Sequence, residues 1–171
     1  MSFSSRPGFT IVELAVTIVV ISILMGLSGF GVNRSITLSR DEDRRTDIEN
    51  IRTHLDSAYR SGFPNISGLQ GAYPSTTHIT TNGVDAVFHG FNKQNLQAPK
   101  TDPNGHSIVV ATNNLTTTAD VRPIPTIATY VYQPLTATGA LCTGSLECRK
   151  YNLFYRLETE TDVKKVTSKN Q

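Results

Sequence analysis

Glu13 is the residue whose chemistry most needs an explanation, because it is the one charge in the 27 residues between Arg6 and Arg34. A carboxylate at the edge of an apolar run is costly to draw into hydrocarbon, so a positive partner is expected for it. The remaining reactive groups assemble into nothing catalytic. Cys142 and Cys148 flank Thr-Gly-Ser-Leu-Glu, too few cysteines for a disulfide scaffold and with no zinc spacing. His54, His78, His89 and His106 stand singly, none beside a cysteine or carboxylate at ligand spacing. No Gly-x-Ser-x-Gly, phosphate loop or dinucleotide fingerprint occurs, and Asp102 with Asn104 does not complete a calcium pattern. The expectation is a chain that is not an enzyme and holds neither cofactor nor metal.

The elements that must carry Glu13 fit a chain of 171 residues, enough for one domain or a small domain with an appendage. Sixteen Lys and Arg against fourteen Asp and Glu give +2, too even a balance for a nucleic-acid or acidic-lipid binder. Lys93, Lys100, Arg122, Arg149, Lys150 and Arg156 are interspersed with acids and read as a solvated surface rather than a DNA groove. Composition excludes collagen-like, coiled-coil and disordered classes.

From Leu14 to Asn33 the chain reads LAVTIVVISILMGLSGFGVN, without a charge. As a helix it covers roughly the 30 Å of a bilayer core. A cleaved secretory signal fits poorly, since Glu13 abuts the apolar stretch and no Ala-x-Ala site follows. A plain anchor stays open. Asp41–Arg60 then places Ile48, Ile51, Leu55 and Ala58/Tyr59 at helical spacing, until Gly62-Phe63-Pro64 stops the pattern. One helix from Phe9 to about Ser61, roughly 80 Å long, is expected. Gly26, Gly29 and Gly31 weaken its first half, for close packing or for local unwinding.

Gly62–Thr101 is loop-like, with Val84–Phe91 either a short strand or a helical turn. His106–Ala111, Thr126–Gln133 and Tyr151–Glu158 read as strands, and Val163–Gln171 as a frayed tail. The architecture expected is α+β, a small antiparallel sheet of three or four strands packed on the second half of the long helix.

Gly8-Phe9-Thr10-Ile11-Val12-Glu13-Leu14 resembles the type III signal of type IV pilins and pseudopilins. A short leader ends in glycine, Phe follows at +1 and Glu at +5, and the apolar stretch runs on to Phe30. The leader carries only one base, Arg6, and Phe30 stands about where the family often has a helix-breaking proline. The resemblance implies a lollipop-shaped protein: leader 1–8, long helix 9–61 with 9–33 as transmembrane segment and filament core, and globular head 62–171. It implies cleavage between Gly8 and Phe9 by a membrane-embedded prepilin peptidase, and N-methylation of Phe9. The new Phe9 ammonium is then the partner Glu13 requires, within the subunit or from a neighbour, and the resemblance favours the neighbour.

Its implied partners are the peptidase, other pilin subunits, an inner-membrane assembly platform and, before assembly, the lipid bilayer. The implied location is the cytoplasmic membrane as a single-pass protein, N-terminus inside and head outside, and later a surface or periplasmic filament. An oxidising exterior favours a Cys142–Cys148 disulfide, expected to pin the hairpin between the last two strands by about 2 to 3 kcal/mol. The function implied is that of a structural filament subunit. The alternatives are a pseudopilin of a type II secretion system or a competence pilus, or a single-pass membrane-anchored binding module.

Overall fold

The computed structural model describes residues 8–101, 105–144 and 147–170, with 27–32 described by their backbone alone. In chain order it contains α1 (Ile11–Ser61), α2 (Thr76–Asn82), α3 (Val84–Val87), a 3-10 turn (Lys93–Leu96), β1 (Ile108–Val110), β2 (Tyr130–Leu135), β3 (Lys150–Arg156) and β4 (Val163–Thr167). The chain is α+β. It divides into two compact units, Met1–Leu38 and Ser39–Gln171, and α1 contributes to both.

α1 is long because no proline falls between Thr10 and Gly62. It ends where Gly62, at φ +88°, donates its N–H to the Ala58 carbonyl at 2.7 Å, a backbone conformation that favours glycine. In the first unit its apolar side chains are exposed from Ile11 to Met25. In the second unit it is amphipathic, and Ile48, Ile51, Leu55 and Ala58 enter the main core.

The sheet has the order β1-β2-β3-β4. It is mixed, which corrects the antiparallel expectation: β1 runs parallel to β2, with Ile108 opposite Tyr130 and Val110 opposite Tyr132. A parallel pair needs a crossover of a dozen or more residues, and residues 111–129 supply it. β4 is a second correction. Val163–Thr167 is not a frayed tail but pairs antiparallel with β3, Val163 opposite Arg156 and Thr167 opposite Asn152. Its lysines suit an edge strand, where they discourage pairing with other chains.

Tyr130, Tyr132, Tyr151, Leu153 and Tyr155 point from one sheet face into the core that holds the α1 stripe. On the other face Val131 and Phe154 pack with Ala111 and Val121 of the crossover. Both faces of β2 are therefore covered, and all six of its residues are buried. The segment expected as loop is partly helical: α2 and α3 lie within it, and the helical-turn alternative holds for Val84–Val87.

Candidate processing and assembly site

Gly8 precedes the helix in open space, and a Cβ built on it meets nothing within 4 Å. Phe9 beside it is 87% exposed. The Gly8–Phe9 bond is thus unobstructed by the described residues. Thr10 is where the helix begins. Its hydroxyl accepts from the Glu13 N–H at 3.2 Å, and the Glu13 carboxylate accepts from the Thr10 N–H at 3.0 Å and the Thr10 hydroxyl at 2.8 Å. This is a reciprocal capping box, which satisfies backbone donors that a helix start leaves unpaired.

Thr10 is the residue that sequence reasoning missed. The signal was present, since Thr10-Ile11-Val12-Glu13 has the Ser/Thr-x-x-Glu spacing ahead of an apolar run. The hydrogen bonds of the Glu13 carboxylate run to Thr10 rather than to Phe9, whose nitrogen is still an amide in the uncleaved chain.

Behind the cap, the hydroxyls of the apolar stretch turn back on their own helix. Thr17 donates to the Leu14 carbonyl and Ser22 to the Ile18 carbonyl, both at 2.8 Å. Neither needs water, so both tolerate an apolar environment. Among the described residues no helix is long and apolar enough to cross a membrane. The expected 9–33 span is therefore not met within them; the side chains of residues 27–32, Gly29, Phe30 and Gly31 included, lie outside the described set.

In the second unit α1 carries a buried ion cluster. Arg44, fully buried, donates to Asp41 at 3.0 Å, to Glu158 at 2.8 Å and to the Ile127 carbonyl at 2.9 Å. Arg40 holds Glu158 through two bonds of 2.8 and 2.7 Å, and Lys100 adds a third cation at 2.9 Å. Asp41 in turn accepts from the N–H groups of Glu158 and Thr159. The hydrogen bond from Arg40, with those from Lys100 and Arg44, holds the Glu158 carboxyl far below the usual range despite burial. The cluster fixes the chain after β3 to α1.

The structure joins Cys142 to Cys148 in a disulfide with a Cα–Cα distance of 5.6 Å. His54, His78 and His106 serve separate local purposes. His54 stacks on Phe88 and contacts Phe91, and His78 completes the capping box of Ser75 at the start of α2. His106 faces Asp85 at 3.7 Å on the surface. Among the described residues no group of three or more His, Cys, Asp or Glu side chains is placed to hold a metal ion. Asp102 and Asn104 lie outside those residues.

Neither the curated proteins nor the solved structures yielded a match. Residues 4–29 match the family described as the prokaryotic N-terminal methylation motif. That span contains Gly8, Phe9, Thr10 and Glu13 and most of the apolar stretch. The chain thus carries the prepilin signal of type IV pilins and pseudopilins on an α+β fold, a signal that implies cleavage by a prepilin peptidase and assembly with other pilin subunits.

Proposed function

We propose that this protein is a structural subunit of a type IV pilus or related pilin-like filament. A prepilin peptidase removes residues 1–8, the Phe9 amine is methylated, and the helix that follows packs into the filament core. Before assembly the chain sits in the cytoplasmic membrane through Leu14–Asn33, N-terminus inside and globular unit outside. The observation that carries this reading is the methylation-motif match at 4–29, a span that contains Gly8, Phe9 and Glu13. The exposed apolar surface of α1 between Ile11 and Met25 supports it, since such a surface requires a partner.

Glu13 then has two successive tasks. In the uncleaved chain it caps its own helix through Thr10. Cleavage frees an ammonium on Phe9, and a carboxylate from a neighbouring subunit neutralises it as the helices leave lipid for the filament core. Opposite charges attract far more strongly there than in water, and an unpaired one is not tolerated. The pair sets the register between subunits.

The test is intact-mass and N-terminal analysis of protein from native filaments. A chain that begins at Phe9 and carries one extra methyl group is expected. Assembled material that begins at Met1 overturns the reading.

A further inference from the structure

The short loop closed by Cys142 and Cys148 does more than complete a hairpin. The β2–β3 connection is already closed without it: Leu135 bridges Leu141, the Arg149 N–H donates to the Leu135 carbonyl at 3.0 Å, and the Cys142 N–H to the Pro134 carbonyl at 2.9 Å. The carbonyls of the two cysteines face the other way. Cys142 accepts from the Thr76 N–H at 3.1 Å, and Cys148 accepts from the Tyr73 N–H at 2.8 Å. Between them Gly144 donates to the Thr77 hydroxyl at 3.0 Å. Arg149, next in the chain, donates to the Gly71 carbonyl at 2.8 Å.

We propose that the disulfide and the segment Tyr73–Thr76 form a redox-sensitive latch, in which the oxidised pair holds the segment and reduction releases it together with α2. The S–S bond fixes the spacing of two acceptors to match two donors three residues apart. The docked segment contains buried Tyr73 and Ser75, and Ser75 is the N-cap of α2. α2 has only seven residues, too few to persist without its cap and its docking. A dithiol would cleave the bond with electrons in balance: one thiolate attacks a cysteine sulfur, the second closes a ring, two cysteine thiols form and the dithiol becomes a cyclic disulfide. Both cysteines are buried in the main core, so attack requires the segment to lift. Coupling between the two sites is therefore reciprocal: docking protects the bond as the bond protects docking.

The reciprocity supplies the test, on the full-length chain in detergent. Thr76 is the first residue of α2 and follows Ser75 at ψ 170°, a position that accepts proline. Thr76→Pro deletes the N–H that Cys142 receives and leaves the helix start intact; Thr76→Ala is the control that keeps it. In a dithiothreitol redox equilibrium Thr76→Pro should reduce about fivefold more readily than wild type, the worth of one net hydrogen bond. Thr76→Ala should match wild type. Equal redox behaviour of Thr76→Pro and wild type overturns the latch. The second measurement is hydrogen exchange on Cys142→Ser/Cys148→Ser. The Tyr73, Thr76 and Gly144 amides should lose at least tenfold protection, on the order of one to two lost hydrogen bonds, while β2 and β3 keep theirs. Unchanged protection at those amides overturns the proposal, and so does uniform loss across the sheet, which would make the bond a global staple.

Discussion

Thr10 and Glu13 cap the start of α1 for each other, the hydroxyl of one receiving the N–H of the other and the carboxylate returning to both donors of Thr10. A capping box needs an oxygen at the fourth position, not a charge. A charge pair with a Phe9 ammonium needs the charge. Glu13→Gln therefore separates the two roles that Glu13→Val would remove together. Glu13→Gln should be cleaved, keep the helix start, and fail to enter filaments when it is the only copy. Glu13→Val should fail as well, with faster amide exchange over the first turn. Sheared filaments against membrane-bound protein, read by immunoblot, give the answer. Wild-type yield from Glu13→Gln would reduce this residue to a cap.

Arg44 is the second residue whose loss has a sharp consequence. Its guanidinium is the common partner of Asp41 and Glu158, and it takes the Ile127 carbonyl as well. Arg44→Met fills much of the volume but leaves two carboxylates short of a buried cation. Breaking such a cluster from one side costs about 3 to 5 kcal/mol. The denaturation midpoint in urea should fall accordingly for Arg44→Met. A loss below about 1 kcal/mol, the range of an exposed ion pair, would mean that Arg40 and Lys100 suffice for Glu158.

The apolar stripe of α1 was legible in the sequence because Ile48, Ile51, Leu55 and Ala58 keep helical spacing. The same pattern carries no sign that Asp41, Arg44, Asp47 and Asp56, charged residues of the same helix, are buried. Glu158, which pairs with Arg44, and Tyr130, which bonds Asp47, lie more than eighty residues away from them, and no local rule pairs them. β4 was hidden by its lysines, and the direction of β1 by a crossover that has no periodicity of its own. The helix start was legible from Glu13 and the apolar run, but the role of Thr10 was not, because it lies in backbone donors rather than in charge.

Gln133 shows what the crossover does for the sheet. Its amide donates to the Asn113 and Leu115 carbonyls at 2.9 and 3.0 Å, and its oxygen accepts from Asn152 on β3 at 2.8 Å. It ties the covering segment to both central strands. Gln133→Leu keeps the strand apolar but orphans the Asn152 amide and two carbonyls, at about 1 to 3 kcal/mol. Hydrogen exchange should show the segment around Asn113–Leu115 opening before the β2–β3 ladder does. Simultaneous opening would mean that Val121 and Ala111 hold the cover without it.

Asp47 and Glu158 should act on stability in opposite directions as pH changes. Burial pushes the Asp47 carboxyl up to about 6, with Asp43 adding to the rise while Tyr130 and Arg44 oppose it. A raised carboxyl favours the folded state when protonated. Its contribution is present below the ordinary value near 3.8 and is lost as pH climbs through about 6. Glu158 is depressed, so its contribution is present above the ordinary carboxylate value and disappears as pH falls below it. Asp47→Asn still accepts from the Tyr130 hydroxyl, which bonds Asp47 at 2.9 Å, and removes only the titration. Relative to wild type, Asp47→Asn should gain about 1 kcal/mol between pH 4 and pH 8, discounted because the 440 Å³ cavity lined by Asp43 and Asp47 admits solvent. Glu158→Gln should be less stable than wild type at pH 7 and converge on it in acid. Urea denaturation at pH 4, 6 and 8 measures both slopes. An Asp47→Asn curve parallel to wild type would mean that Asp47 stays ionised throughout, held by Arg44 on the preceding turn rather than governed by its burial.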